Sequence, residues 1–216
     1  MLRRRVLRAL LTALAAATLT LAGCSSADES DHGKGHVATV SGGPEEGPFA
    51  GREISEPKPR PDFTLTDQAG ARFDFAAETA GQPTLLFFGY ANCPDVCPTT
   101  MADVALALKS VPAVVAARTQ VVFVTTDPAR DTPEFLGSYL ARFDRELPNR
   151  FIGLTGTQLE VETAQSVAGV PLAEAEGTMH ATSLLLFGSD DVARVMFSAA
   201  DTQAEIAQDL ETVAAG

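Results

Sequence analysis

Two cysteines with three residues between them, in Cys93-Pro94-Asp95-Val96-Cys97-Pro98, are the residues of this chain best suited to chemistry. They follow an apolar run, Thr84 to Tyr90, and precede a stretch with helical character that Pro112 closes. The pair therefore falls where a buried strand passes into a helix. Ligands collect at the carboxyl ends of such strands, and a helix N-terminus stabilises negative charge. A thiol placed there loses its proton more readily, so it can act as a nucleophile or a metal ligand near neutral pH. Residues four apart in a helical turn face the same way, which points both sulfurs at one spot. The three intervening residues leave room for an ion between the sulfurs and still allow a disulfide to close.

Two thiolates select soft metals: Cu(I), zinc or an iron–sulfur cluster. A cluster would need about four cysteines, and the chain holds three in all, one of them Cys24 near the N-terminus. A third ligand must come from elsewhere, and the expected domain contains one histidine, His180, just before a strand beginning near Thr182. Two sulfurs and an imidazole suit trigonal Cu(I), and one further oxygen would accommodate Cu(II). Zinc more often demands a fourth protein ligand. Three other readings stay open on the residues alone. The pair can be a plain structural disulfide, the working dithiol of a thiol–disulfide oxidoreductase, or part of a thiol peroxidase. A plain oxidoreductase has no need of an imidazole opposite its cysteines. In a peroxidase, a second thiol four residues away would trap the first.

The elements that must position these groups are legible along the chain. Phe63 to Thr66 and Arg72 to Phe75 alternate in polarity around the turn Asp67-Gln68-Ala69-Gly70, which predicts a hairpin. Thr84 to Tyr90 and Val121 to Thr126 are continuous apolar runs, as expected of central strands covered on both faces. A right-handed crossover makes them neighbours and parallel. Thr132-Pro133 opens a helix through Phe143 with a cap and a proline at the first position. Phe151 to Leu154 is a short strand. Thr157-x-x-Glu160 is a capping box for the next helix. Thr182 to Phe187 and Val192 to Phe197 form a closing hairpin, and Thr202-x-x-Glu205 starts a final helix. This order predicts an α/β, thioredoxin-like three-layer sandwich with an N-terminal hairpin and an inserted strand and helix.

Residues 1–23 read as an export signal. Arg3-Arg4-Arg5 is a basic start, and Leu7 to Leu21 is an apolar run better suited to a signal than to a permanent span. Leu21-Ala22-Gly23-Cys24 looks like the lipobox of bacterial lipoproteins. The resemblance implies a diacylglycerol thioether on Cys24, cleavage before it, and a domain held on the extracytoplasmic face of the cell membrane. Cysteine usage agrees: one anchored residue and one pair, in a compartment where disulfides persist. Residues 24–57, rich in Ser, Gly, Asp, Glu and Pro, read as a flexible tether, and 58–216 as the folded domain. His32 and His36 lie in that tether, as solvated linker histidines or a weak metal-capture pair. The formal net charge is −12, from 16 basic and 28 acidic residues. Loss of Arg3, Arg4, Arg5 and Arg8 with the signal takes it to −16, which argues against nucleic acid and anionic lipid as partners.

Three segments together resemble the Sco/SenC family. They are Phe87-Phe88-Gly89-Tyr90-x-x-Cys93-Pro94-x-x-Cys97-Pro98-Thr99, Thr126-Asp127-Pro128-x-Arg130-Asp131-Thr132-Pro133, and His180 followed by Ser183 and an apolar strand. The likeness covers roughly residues 57 to 216. It implies a thioredoxin-like fold and one copper held by Cys93, Cys97 and His180. It further implies a metallochaperone, without turnover, that serves the binuclear copper centre of cytochrome c oxidase or another copper protein; a monomer is expected. The family usually carries an acidic residue before the histidine, where this chain has Met179. Met179 and Met101 read as packing residues or thioether donors. Asp95 is a candidate for a place beside the metal's ligands, and Asp127, Arg130 and Asp131 are either a loop tied by a salt bridge and a helix cap or neighbours of the site with a supporting or docking role.

Overall fold

Residues 47–172 and 183–215 are described in the structure, a computed structural model. The chain divides into two units, Met1–Gly42 and Gly43–Gly216, of which the first lies outside the described residues.

The two apolar runs form the centre of the sheet. Strand β4 (Thr84–Gly89) is buried at every position, and β5 (Gln120–Thr125) at all but its first. They pair in parallel, Leu86 opposite Val122 and Gly89 opposite Thr125. Because successive side chains point to opposite faces, Leu85, Phe87, Val121 and Phe123 enter one core, while Leu86, Phe88, Val122 and Val124 enter another. Both faces therefore need a helical cover.

The remaining elements supply it. In chain order they are β1 (Arg52–Pro59), β2 (Thr64–Asp67), β3 (Arg72–Asp74), α1 (Phe75–Thr79), α2 (Val96–Ser110) and α3 (Ala113–Arg118). There follow α4 (Pro133–Asp144), β6 (Ile152–Thr155), α5 (Gln158–Val167), β7 (Leu184–Phe187), β8 (Val192–Phe197) and α6 (Gln203–Ala215). The eight strands lie in the order β1-β8-β7-β4-β5-β6-β2-β3. Helices α2, α4 and α6 pack on the Phe87 face through Met101, Leu136, Tyr139 and Ile206. Helices α1 and α5 pack on the Phe88 face through Phe75, Val161 and Ala164. The result is the expected three-layer, thioredoxin-like α/β sandwich.

The caps form as their residues require. Thr132 accepts from the Phe135 amide at 3.3 Å with Pro133 following, and Thr157 and Glu160 form the reciprocal capping box. Glu205 and Thr202 make the same exchange at α6.

Three elements differ from expectation. The stretch read as tether as far as residue 57 is strand from Arg52 onward, paired with β8. Its sequence, REISEPKP, is too polar to reveal a strand because it lies at the sheet edge and gives the core little beyond Ile54. The alternation expected through Phe75 stops at Asp74, whose side chain accepts from the Ala77 amide at 3.0 Å and starts α1 instead. Helix α3, beyond Pro112, is too short to show a period.

Candidate metal and thiol site

The cysteines sit where β4 gives way to α2, at the carboxyl end of the parallel strands. Asp95 occupies the N-cap position of α2 but makes no capping bond with its side chain. The work passes to sulfur: the Cys97 amide donates to Cys93 Sγ at 3.4 Å. The Cys93 amide in turn donates to the Tyr90 carbonyl at 3.1 Å, which curls the loop back on the strand end. Both residues are in the dithiol form.

The two thiols differ in environment. Cys93 is partly exposed and Cys97 is fully buried in the α2 core. Burial alone would raise the Cys93 thiol. The amides of Cys97 and Asp95, the Cys97 thiol and the Tyr90 hydroxyl outweigh it, and hold Cys93 below the ordinary thiol range. Burial pushes the Cys97 thiol far up, with the Cys93 and Asp131 charges adding to it. Tyr90 is likewise raised, by burial first and then by the charge of Cys93. The pair is thus one reactive outer sulfur and one protected inner sulfur.

Gly89 explains how the inner sulfur fits. A Cβ built there would lie 2.5 Å from the Phe87 ring and 2.9 Å from Cys97 Sγ. Only a residue without a side chain leaves the strand end open to Cys97.

The second motif grips this loop from β5. The Thr126 amide donates to the Gly89 carbonyl at 2.7 Å, and Asp131 Oδ2 accepts from the Ala91 amide at 2.8 Å and from Thr125 Oγ1 at 2.7 Å. Burial raises the Asp131 carboxyl, and the Thr125 and Ala91 bonds oppose that. Asp127 pairs with Arg130 along the outer side of the same turn. A groove beside the first turns of α2 is lined by Asp95, Thr99, Asp103, Phe197 and Asp201.

The structure therefore brings together Cys93, Cys97, Asp95, Tyr90 and Asp131. It places Asp127 and Arg130 on the turn behind them, paired with each other. Met101 is a core residue, fully buried against α2's neighbours. His180, Met179, Cys24, His32 and His36 lie outside the described residues. Among the described residues no group of three His, Cys, Asp or Glu is disposed to hold a metal. The described part of the site is the two sulfurs. Tyr90 and Gly89 stood in the first motif without a role assigned from sequence; the glycine between an apolar run and a cysteine loop was the available signal.

A mixed sheet covered on both faces, with two cysteines at the turn from its central parallel strand into a helix, defines a thioredoxin-like protein with a dithiol site. The SCO1/SenC family model matches residues 52–215, and the chain belongs to that family. A putative copper-binding protein of Stutzerimonas stutzeri is 37% identical over 137 residues, 60% of this chain and 64% of the relative. The copper-bound structure of Bradyrhizobium japonicum ScoI superposes with a TM-score of 0.59 at 32% identity, covering 71% of this chain and 98% of that one. Apo Sco1 from Thermus thermophilus gives a TM-score of 0.63 at 30% identity, over 76% and 96% of the two chains. The chain spans less than two thirds of the length of the curated relatives it matches, 64% of the Stutzerimonas protein and 37% of Saccharomyces cerevisiae SCO1.

Proposed function

We propose that this chain is a copper metallochaperone, anchored by lipid on Cys24 at the extracytoplasmic face of the membrane, that hands copper to the binuclear centre of cytochrome c oxidase. The observation that carries the reading is the dithiol itself: Cys93 just ahead of α2 and Cys97 in its first turn, with the Cys97 amide donating to Cys93 Sγ and the outer thiol held below the ordinary range. Two soft donors at one spot fit Cu(I). His180 is the third ligand in this reading, and Cys93, Cys97 and His180 hold the ion between them. The copper named for the Stutzerimonas and Bradyrhizobium relatives supports the same assignment. Family membership supports the role in oxidase assembly. Among the described residues no helix is long and apolar enough to cross a membrane; attachment in this reading is through the acylated Cys24.

The protein's own residues supply the remaining chemistry. The Cys97 and Asp95 amides and Tyr90 stabilise negative charge on Cys93, so the outer sulfur is ready to ligate. Burial of Cys97 shields the inner sulfur from solvent oxidants. Oxidation to a Cys93–Cys97 disulfide removes both thiolates, so the pair must be reduced before loading.

The test is metal content. The reduced full chain, purified in detergent and given one equivalent of Cu(I), should retain it against a competing chelator. Cys93→Ser or Cys97→Ser should abolish retention, and His180→Ala should weaken it severely. Copper content unchanged in His180→Ala would defeat the three-ligand assignment. The second reading is a thiol–disulfide oxidoreductase acting on a partner's cysteines. The asymmetry of the two thiols favours it, since an outer nucleophile and a buried resolving sulfur are what exchange requires. Oxidase assembly that survives His180→Ala at low copper but fails in both cysteine variants would favour that reading.

A further inference from the structure

The second motif contains a carboxylate, Asp131, that no part of the copper reading uses. Asp131 is fully buried, yet it lies 40 residues from the cysteine loop in sequence and reaches it directly. The turn that delivers it is wound tightly: the Arg130 and Asp131 amides both donate to the Asp127 carbonyl, at 3.1 and 3.0 Å. Arg130 turns outward to Asp127, while Asp131 turns inward. There a single oxygen, Oδ2, takes both the Ala91 amide and the Thr125 hydroxyl. Ala91 stands two residues before Cys93, whose own amide is tied to Tyr90. The segment from the end of β4 into α2 thus has two fixings to the turn that follows β5, Thr126 to Gly89 and Asp131 to Ala91.

We propose that Asp131 is the positioning residue of the cysteine pair: its carboxylate fixes the height of the loop and so the distance from Cys93 to Cys97. The inference rests on the pair being the working site, and it concerns how that pair is held. Buried hydrogen bonds of this kind are strong where they are complete and costly where one partner is removed. The acceptor is needed for its oxygen. An asparagine can offer the same oxygen to both donors, whereas alanine leaves the Ala91 amide and Thr125 hydroxyl buried without it.

The readout is the equilibrium of the metal-free chain with glutathione, in which the protein dithiol and oxidised glutathione give the Cys93–Cys97 disulfide and two reduced glutathiones. Its constant measures how well the two sulfurs are placed, independent of any metal. Asp131→Ala should lower it by roughly tenfold or more, as loss of two buried bonds implies. Asp131→Asn should stay within about threefold of the native chain, and Thr125→Val, which removes one donor to Asp131 together with the acceptor of the Asp127 amide, should also lower the constant. Asp209→Ala is the control. Asp209 is another fully buried carboxylate, accepting from the Ala50 and Gly51 amides at 2.7 and 2.9 Å, away from the loop. Its loss should cost stability and leave the glutathione constant unmoved. The proposal is overturned if Asp131→Ala and Thr125→Val leave the constant unchanged. It is equally overturned if Asp131→Asn falls as far as Asp131→Ala, or if Asp209→Ala falls with it. If the variants show this pattern while the native chain retains no copper, the copper reading falls and this one stands.

Discussion

Gly89→Ala tests whether the strand end is shaped around the inner sulfur. The added methyl would meet the Phe87 ring at 2.5 Å and Cys97 Sγ at 2.9 Å. Ordinary contacts begin near 3.5 Å, so about half an ångström to an ångström of relief is needed, from a ring and a sulfur that are both buried. Overpacking of this sort costs about 1–3 kcal/mol, which for a domain of this size lowers the melting temperature by roughly 2–12 °C. Gly153→Ala provides the comparison. Its methyl would meet Leu140 at 2.9 Å and Leu136 at 3.1 Å, a similar crowding remote from the cysteines. Both variants should melt earlier in a thermal unfolding scan. Only Gly89→Ala should also weaken Cu(I) retention against a chelator, by roughly tenfold for each 1.4 kcal/mol that reaches the sulfur. Equal copper retention in the two variants, with both destabilised, would refute the idea that the glycine serves Cys97.

Three further outcomes follow from the geometry. Alkylation of the reduced, metal-free chain should modify Cys93 well before Cys97. Its rate should hold up below the ordinary thiol range as pH falls, because the folded pKa is depressed; a rate that inflects at the ordinary thiol value would contradict this. The same depression means that Cys93 contributes stability above its unfolded pKa, lost as pH falls through the folded one. Arg60→Ala should destabilise the domain by about 1–3 kcal/mol, since it leaves the buried Thr79 hydroxyl and Gly188 carbonyl without this donor while the half-exposed Asp191 stays solvated. Arg60 bonds Asp191, Thr79 and the Gln82 and Gly188 carbonyls and lies over the Phe75 and Phe187 rings. Chemical denaturation measures the loss, and copper retention by the folded fraction should not change. Cys24→Ala should release the processed chain from the membrane fraction, or leave it unprocessed; a processed variant that still sediments with membranes would defeat the lipid-anchor proposal.

The sequence carried the centre of this molecule better than its margins. Thr84 to Tyr90 and Val121 to Thr126 were readable because strands buried on both faces are apolar throughout. The caps at Thr132, Thr157 and Thr202 were readable because their chemistry is local. The first strand was not: Arg52 to Pro59 owes its conformation to pairing with β8, more than a hundred residues away, and not to its own polarity. Asp74 competed successfully for the Ala77 amide and turned an expected strand into a helix. At the site, the sulfurs were legible from spacing alone. The role of Asp131 was not, because its partner Ala91 carries no side-chain signal and is reached only once β4 and β5 lie side by side.

The outermost strands bear on how this protein behaves when copies of it meet. An exposed sheet edge is a template onto which another chain can add. Here one edge is β1, which breaks register between Glu53 and Lys58 and closes on Lys58 and Pro59. Proline has no amide to offer a newcomer, and a lysine beside it is a charge that an added strand would have to bury. The other edge, β3, is only three residues long and runs straight into a helix. A sheet finished in this way gives neighbouring copies little to join.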